Sequence, residues 1–229
     1  MKQNRLWLIP YAFFLICCVL DLVGCVASGQ LERCVKPALM PLLSLTSFTW
    51  LIGRTDIVNP SLVPLLLLGQ LFGFAGDTML MGNGFVCFAG GIGLFLIGHI
   101  FYICLFGKSS LAGLKPWHWI AGVLGSLVAC AALALVIGVN GAMLVPMGIY
   151  AFVLMMLIFS TLMGVLRFGG LTWWLLLCGA CLFTLSDVLI AVHNFGGSGF
   201  MTKSIVIMAA YLVAQSLIAV GGLRLITGK

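Results

Sequence analysis

Three of the five acidic residues in the sequence, Asp21, Asp77 and Asp187, lie inside long apolar runs. The other two, Glu32 and Asp56, fall in stretches that we predict to be loops. Burying an ionisable side chain in a bilayer costs at least about 2.5–3.5 kcal/mol on insertion scales, so such a residue usually faces a polar cavity and has a function. Two carboxyl groups in one site can act as a general acid and a general base. The chemistry indicated is therefore acid-base catalysis.

Asp77 and Asp187 share a local pattern, because Gly76-Asp77-Thr78-Met79-Leu80 is echoed 110 residues later by Ser186-Asp187-Val188-Leu189-Ile190. The echo is a faint sign of an internal duplication. Asp21 has no such motif, and we interpret it as a structural hydrogen-bonding group. The alternative for Asp77 and Asp187 is the same structural role, in a hydrogen bond between helices.

The composition defines the elements that must position these residues. The chain has 229 residues, is 63% hydrophobic and 7% charged, and has a mean hydropathy of +1.26. This much apolar surface cannot be buried in one water-soluble core. With roughly 20 residues for each crossing, the length allows about eight transmembrane helices. We predict an all-α integral membrane protein with a single membrane domain over residues 1–229.

The predicted helices are separated by Gly, Pro, Asn and charged residues. They cover residues 6–28, 37–52, 62–81, 85–106, 119–138, 142–165, 171–192 and 204–226. Because Asp77 lies in the third predicted helix and Asp187 in the seventh, an offset of four helices, the duplication predicts two four-helix parallel repeats. All three buried acids fall in odd-numbered helices, four to seven residues before the helix ends. They would then lie about 6–10 Å from the outer ends and could meet at one depth.

The basic residues give the chain a net charge of +6. Eight of them lie at the termini and in the even-numbered connections, and three lie on the opposite side. The eight are Lys2, Arg5, Arg54, Lys108, Lys115, Arg167, Arg224 and Lys229, and the three are Arg33, Lys36 and Lys203. The positive-inside rule then predicts cytoplasmic termini. Scattered basic residues suit membrane lipids and not nucleic acid, and we expect a bacterial inner membrane location.

Five further polar residues are predicted to bind a substrate: Lys36, His99, Tyr102, Tyr211 and Gln215. Lys36 opens the second predicted helix and could hold a phosphate together with Arg33 and Lys203, although interfacial snorkelling explains a Lys there equally well. Tyr211 and Gln215 share a helix face, either lining a cavity or forming hydrogen bonds between helices. The CxxC spacing of Cys178 and Cys181 lies within an apolar helix, so we predict neither a metal site nor a disulfide.

Five short segments, in this order and at this spacing, resemble the lysoplasmalogenase family of multi-pass membrane proteins. They are Arg33-Cys34-Val35-Lys36-Pro37, Gly76-Asp77-Thr78-Met79-Leu80, Gly98-His99-Ile100-Phe101-Tyr102, Gly179-Ala180-Cys181-Leu182-Phe183-Thr184-Leu185-Ser186-Asp187 and Ala210-Tyr211-Leu212-Val213-Ala214-Gln215. The resemblance implies an eight-helix fold and hydrolysis of the vinyl ether bond of a lysophospholipid that carries choline or ethanolamine.

The resemblance also implies that Asp77 and Asp187 are the catalytic pair. Vinyl ether hydrolysis needs one acid, to protonate the outer alkene carbon, and one base, to activate water, so no cofactor or metal is expected. We assign Asp77 as the base and Asp187 as the acid, although the residues themselves leave the order open. Proton-coupled transport of lipid or small solutes is the alternative function, because buried Asp residues also suit a proton relay.

Overall fold

The computed structural model describes residues 5–27, 29–137, 141, 144–195 and 204–229, and within these ranges all regular secondary structure is helical. The described residues form eight α-helices, which are α1 Leu8–Ala27, α2 Gly29–Leu51, α3 Val63–Leu80, α4 Phe85–Ser110, α5 Pro116–Ile137, α6 Leu144–Phe168, α7 Gly170–Phe195 and α8 Ser204–Thr227. A short 3₁₀ turn, Pro60–Leu62, precedes α3. The all-α architecture predicted from composition is confirmed.

Seven of the described helices are long and apolar enough to cross a membrane, and α2 is the exception. The sequence had predicted eight crossings. The apolar part of α2 is interrupted by Pro41 and by several Ser and Thr residues, which lower its hydropathy. Large apolar side chains elsewhere are widely exposed, including Leu135 at 84% and Val128 at 70%, as a lipid-facing surface requires. The chain is therefore a multi-pass membrane protein.

The start of α2 corrects the prediction, because the helix begins at Gly29 and not at Pro37. Glu32 therefore lies in the first helical turn and not in a loop, and Lys36 lies inside the helix and does not open it. The sequence alone predicts a break before the helix at Glu32 and Lys36. In the structure Glu32 and Lys36 are four residues apart on one face and form an ion pair of 3.8 Å, which supports the helix.

Contacts divide the chain into two compact units. The first contains residues 1–102 and 219–229. In it α1 packs against α2 and α2 against α3, while glycines let α3 approach α4. A Cβ at Gly69 would overlap the ring of Tyr102, and one at Gly76 would lie 2.8 Å from the ring of Phe95. Residues 81–84, which include the predicted turn Gly82-Asn83-Gly84, connect these two helices.

The C-terminal end of α8 is fastened to the loop before α3 in the same unit. The backbone N–H groups of Val58 and Asn59 both donate to the carbonyl of Ile226 at 3.0 Å. Lys229 Nζ donates to Asp56 Oδ2 at 2.9 Å, and this hydrogen bond holds the pKa of the exposed Asp56 carboxyl below its usual value of 3.8. These bonds fix the last turn of the chain.

The second unit contains residues 103–218. Its helices α5, α6 and α7 pack against one another. Gly164 on α6 lies against α7, where a Cβ would overlap the ring of Trp173. The boundaries between the two units fall inside α4 and inside α8. The predicted repeat would instead divide the chain between α4 and α5, so the repeat stays a prediction. The predicted turn residues Val139 and Asn140 lie outside the described residues.

Candidate functional site

Asp187 lies on α7 and accepts a hydrogen bond from the hydroxyl of Tyr150 on α6, with 2.6 Å between Oη and Oδ2. Both side chains are buried, at 8% and 7% exposure. A short hydrogen bond to a carboxyl oxygen in an apolar environment is strong. It fixes the orientation of the Asp187 carboxyl relative to α6.

Beside this pair lies a cavity of about 40 Å³ within the second unit. Its lining is formed by Cys130, Leu133, Ala134, Leu144, Met147, Gly148, Tyr150, Ala151, Leu154, Asp187, Val188 and Ala191. A space of this size holds only a few water molecules. Asp187 and Tyr150 thus contribute polar groups to an otherwise mainly apolar lining.

The predicted residues Tyr211 and Gln215 lie on α8 in the same unit and are buried. The Tyr211 ring meets Phe183, one turn before Asp187 on α7, edge to face with 5.4 Å between centroids. The hydroxyl of Ser186 donates to the carbonyl of Ile207 at 3.1 Å. These contacts hold α7 against α8 next to Asp187.

Asp77 lies on α3 in the first unit and is 4% exposed. Gly69, Gly73 and Asp77 are spaced four residues apart on one face of α3, and all three are buried. Gln70, also buried, donates from Nε2 to the hydroxyl of Ser47 on α2 at 3.0 Å. The face of α3 that carries Asp77 is therefore an inward face.

His99 and Tyr102 lie on α4, both 1% exposed and both in the first unit. Tyr102 packs on Gly69, and the His99 ring lies 6.5 Å from the ring of Phe95. Asp21 on α1 is fully buried, and within the described part of the chain neither of its carboxyl oxygens has a hydrogen-bond partner. The hydrogen bond we expected for Asp21 is therefore not found among these residues.

Lys36 lies at the edge of a second, polar cavity of about 320 Å³. Its lining comprises Gly29, Glu32, Arg33, Lys36, Leu80, Met81, Gly82 and Asn83, from α2 and the end of α3. Lys203, the third cation predicted to lie beside Lys36, is outside the described residues. Arg33 and Lys36 line the same cavity, and the phosphate site stays a prediction.

The first unit thus holds Lys36, Asp77, His99 and Tyr102, and the second holds Asp187, Tyr211 and Gln215. A shared site for Asp77 and Asp187 stays a prediction. Sequence reasoning missed Tyr150, the partner of Asp187. The sequence does contain a signal for Tyr150, because the chain has only four Tyr residues and this one places a polar hydroxyl inside an apolar run.

Sequence comparisons with known proteins identify the family of the chain. A family model described as the YhhN family matches residues 31–222. Lysoplasmalogenase TMEM86A of Homo sapiens is 30% identical over 163 residues, covering 69% of this chain and 65% of the human protein, slightly less than two thirds of its length. No solved structure matches significantly. The family resemblance carried by the five short segments is confirmed, and the chain belongs to the YhhN family.

Proposed function

We propose that the protein is a lysoplasmalogenase, which hydrolyses the vinyl ether bond of a lysoplasmalogen to a fatty aldehyde and a glycerophospho-base with choline or ethanolamine. The observation that carries the proposal is Asp187, a buried carboxyl that lines an apolar cavity and is oriented by Tyr150. Family membership and the name of the human relative support the same reaction.

In the mechanism we propose, a carboxylic acid donates its proton to the outer carbon of the alkene, and an oxocarbenium ion forms at the inner carbon. We assign this step to Asp187, because it lines a mainly apolar cavity, and a low-dielectric environment favours the protonated form of a carboxyl. Tyr150 acts as a positioning residue, since its hydrogen bond holds one oxygen of the carboxyl. The logic is that of glycoside hydrolysis, in which one carboxyl is protonated and the other ionised.

The second half of the reaction needs a base. We assign it to Asp77, which would take a proton from the water that attacks the oxocarbenium carbon. The bond between the hemiacetal carbon and the glycerol oxygen then breaks as Asp77 gives its proton to that oxygen, while the hemiacetal hydroxyl gives its proton to Asp187, and the aldehyde is released. Atoms balance with one water consumed, and each carboxyl returns to its starting protonation state.

The proposal is tested by incubating the purified protein in detergent with a lysoplasmalogen and detecting free aldehyde by mass spectrometry. Detergent removes any transmembrane gradient, so a proton-coupled carrier would leave the lipid intact. Aldehyde release by the wild type, and its loss in Asp187→Asn, is the expected result. Intact lipid after prolonged incubation with folded protein would contradict the proposal.

A further inference from the structure

The polar cavity of the first unit carries both signs of charge on neighbouring side chains. Arg33 and Lys36 contribute positive charge, and Glu32 contributes negative charge 3.8 Å from the Lys36 ammonium. The side chains of Lys36 and Glu32 are 19% and 21% exposed, so they lie mostly out of water. At such positions charges interact more strongly than on an open surface.

This pairing of charges selects among ligands. A simple anion at Arg33 and Lys36 would also meet the carboxylate of Glu32, which repels it. A ligand that carries an anion and a cation a few bonds apart would satisfy both signs at once. At about 320 Å³ the cavity is at the lower end of the usual range for small-molecule sites. It therefore suits a compact zwitterion.

The cavity lies close to Asp77 along α3. Leu80 and Met81 line it, and they follow Asp77 by three and four residues, which is about 6 Å along a helix axis. In a lysoplasmalogen four single bonds of about 1.5 Å each join the vinyl ether oxygen to the nearest phosphate oxygen, a separation of about 5 Å. A headgroup in this cavity would thus leave the reacting bond near the depth of Asp77.

We propose that this cavity is the headgroup site and that it recognises a zwitterionic phosphodiester. Arg33 and Lys36 bind the phosphate, and the Glu32 carboxylate pairs with the positive charge of the headgroup, accepting a hydrogen bond where the headgroup is ethanolamine. The inference rests on the proposed function, and it adds the chemistry that determines headgroup specificity. Charge-assisted hydrogen bonds of this kind are the strong ones in binding sites.

The test uses lipids that cannot be cleaved, so that binding is separated from catalysis. Two saturated alkyl ether lysolipids are compared, one with an aminoethyl and one with a hydroxyethyl phosphodiester headgroup. The two headgroups have nearly the same size and differ in the positive charge. Affinity for the full-length protein in detergent is measured by calorimetry, with Lys115→Gln as the matched control, because Lys115 is exposed and lies outside the cavity.

We expect wild type to bind the aminoethyl lipid at least about tenfold more tightly, the equivalent of one charge-assisted hydrogen bond. Glu32→Gln should abolish this ratio, because it weakens binding of the aminoethyl lipid and strengthens binding of the anionic hydroxyethyl lipid, and Glu32→Asp should restore part of the ratio. Lys36→Gln should weaken both lipids about tenfold, and Lys115→Gln neither. Equal affinity of wild type for the two lipids, or an undiminished ratio in folded Glu32→Gln, would overturn the proposal.

Two water-soluble competitors identify the source of the recognised group. Glycerophosphoethanolamine should displace the aminoethyl lipid at higher concentration than a lysolipid does, because it lacks the chain. Inorganic phosphate should compete more weakly still, and phosphate that competed as well as glycerophosphoethanolamine would overturn recognition of a zwitterion.

Headgroup selectivity without aldehyde release would contradict only the proposed function. Aldehyde release without headgroup selectivity would contradict only this inference.

Discussion

The hydroxyl of Tyr150 lies 2.6 Å from Oδ2 of Asp187, and both groups are buried where α6 packs against α7. Such a bond orients the carboxyl without placing a second charge beside it. A group of this kind commonly determines whether a neighbouring catalytic residue reaches its substrate in the productive geometry.

Replacing Tyr150 by Phe removes the hydroxyl and keeps the ring. We expect kcat to fall about tenfold with little change in KM, because one hydrogen bond that orients the acid is lost. The pH profile of kcat should also shift, since the Asp187 carboxyl loses a donor. Steady-state aldehyde release over a range of pH measures both, with Tyr11→Phe on the partly exposed face of α1 as the control. An unchanged profile would show that Tyr150 has only a packing role.

The second prediction concerns the carboxyl pair. Asp77→Asn and Asp187→Asn keep the side-chain shape but cannot transfer a proton, and each should lower the rate by about 10²–10⁴-fold. Asp56→Asn is the matched control, because Asp56 is exposed and pairs with Lys229 in a loop. If both variants folded and turned over at near the wild-type rate, the pair would not be catalytic.

Most of the fold follows from hydrophobic patterning, because long apolar runs between turn residues form membrane-spanning helices in a bilayer. Every described end of seven helices lies within four residues of its predicted position. The exception is the start of α2, where the charges of Glu32 and Lys36 suggested a loop. A side-chain pair four residues apart supports a helix instead, and such pairs are visible only once a helix is assumed.

The site was less predictable than the fold. Asp77 and Asp187 were found because acids are rare in this sequence and costly in a membrane. Tyr150 was not found, because its importance depends on which face of α6 meets α7. The packing of two apolar helices is decided by small residues such as Gly164, and one sequence does not show which helices they bring together.

The contact between Gly69 and Tyr102 gives a prediction about stability. A methyl group at Gly69 would overlap the buried Tyr102 ring, so Gly69→Ala should destabilise the protein by about 1–3 kcal/mol through overpacking. Gly93→Ala is the control, since no atom lies within 4 Å of the added methyl group. Thermal unfolding in detergent compares them. Equal midpoints would mean that α3 and α4 are less tightly packed than described.

The distribution of basic residues predicts that both termini are cytoplasmic. Fusions of a phosphatase and of a fluorescent protein after Lys229 report on the two sides of the membrane, because the first is active only outside the cytoplasm and the second fluoresces only within it. We expect fluorescence without phosphatase activity. The opposite pattern would overturn the predicted cytoplasmic location of the termini.

The measurement that tests the proposed mechanism most directly is hydrolysis of a lysoplasmalogen in heavy water. Protonation of the outer alkene carbon by solvent hydrogen relayed through the acidic Asp must leave one deuterium on the carbon next to the aldehyde carbonyl. A saturated ether analogue, which has no alkene to protonate, should not be cleaved. We predict singly deuterated aldehyde by mass spectrometry. The aldehyde is analysed before further hydrogen on this carbon exchanges with the solvent. Aldehyde without deuterium, or ready cleavage of the saturated ether, would contradict acid-base catalysis by Asp77 and Asp187.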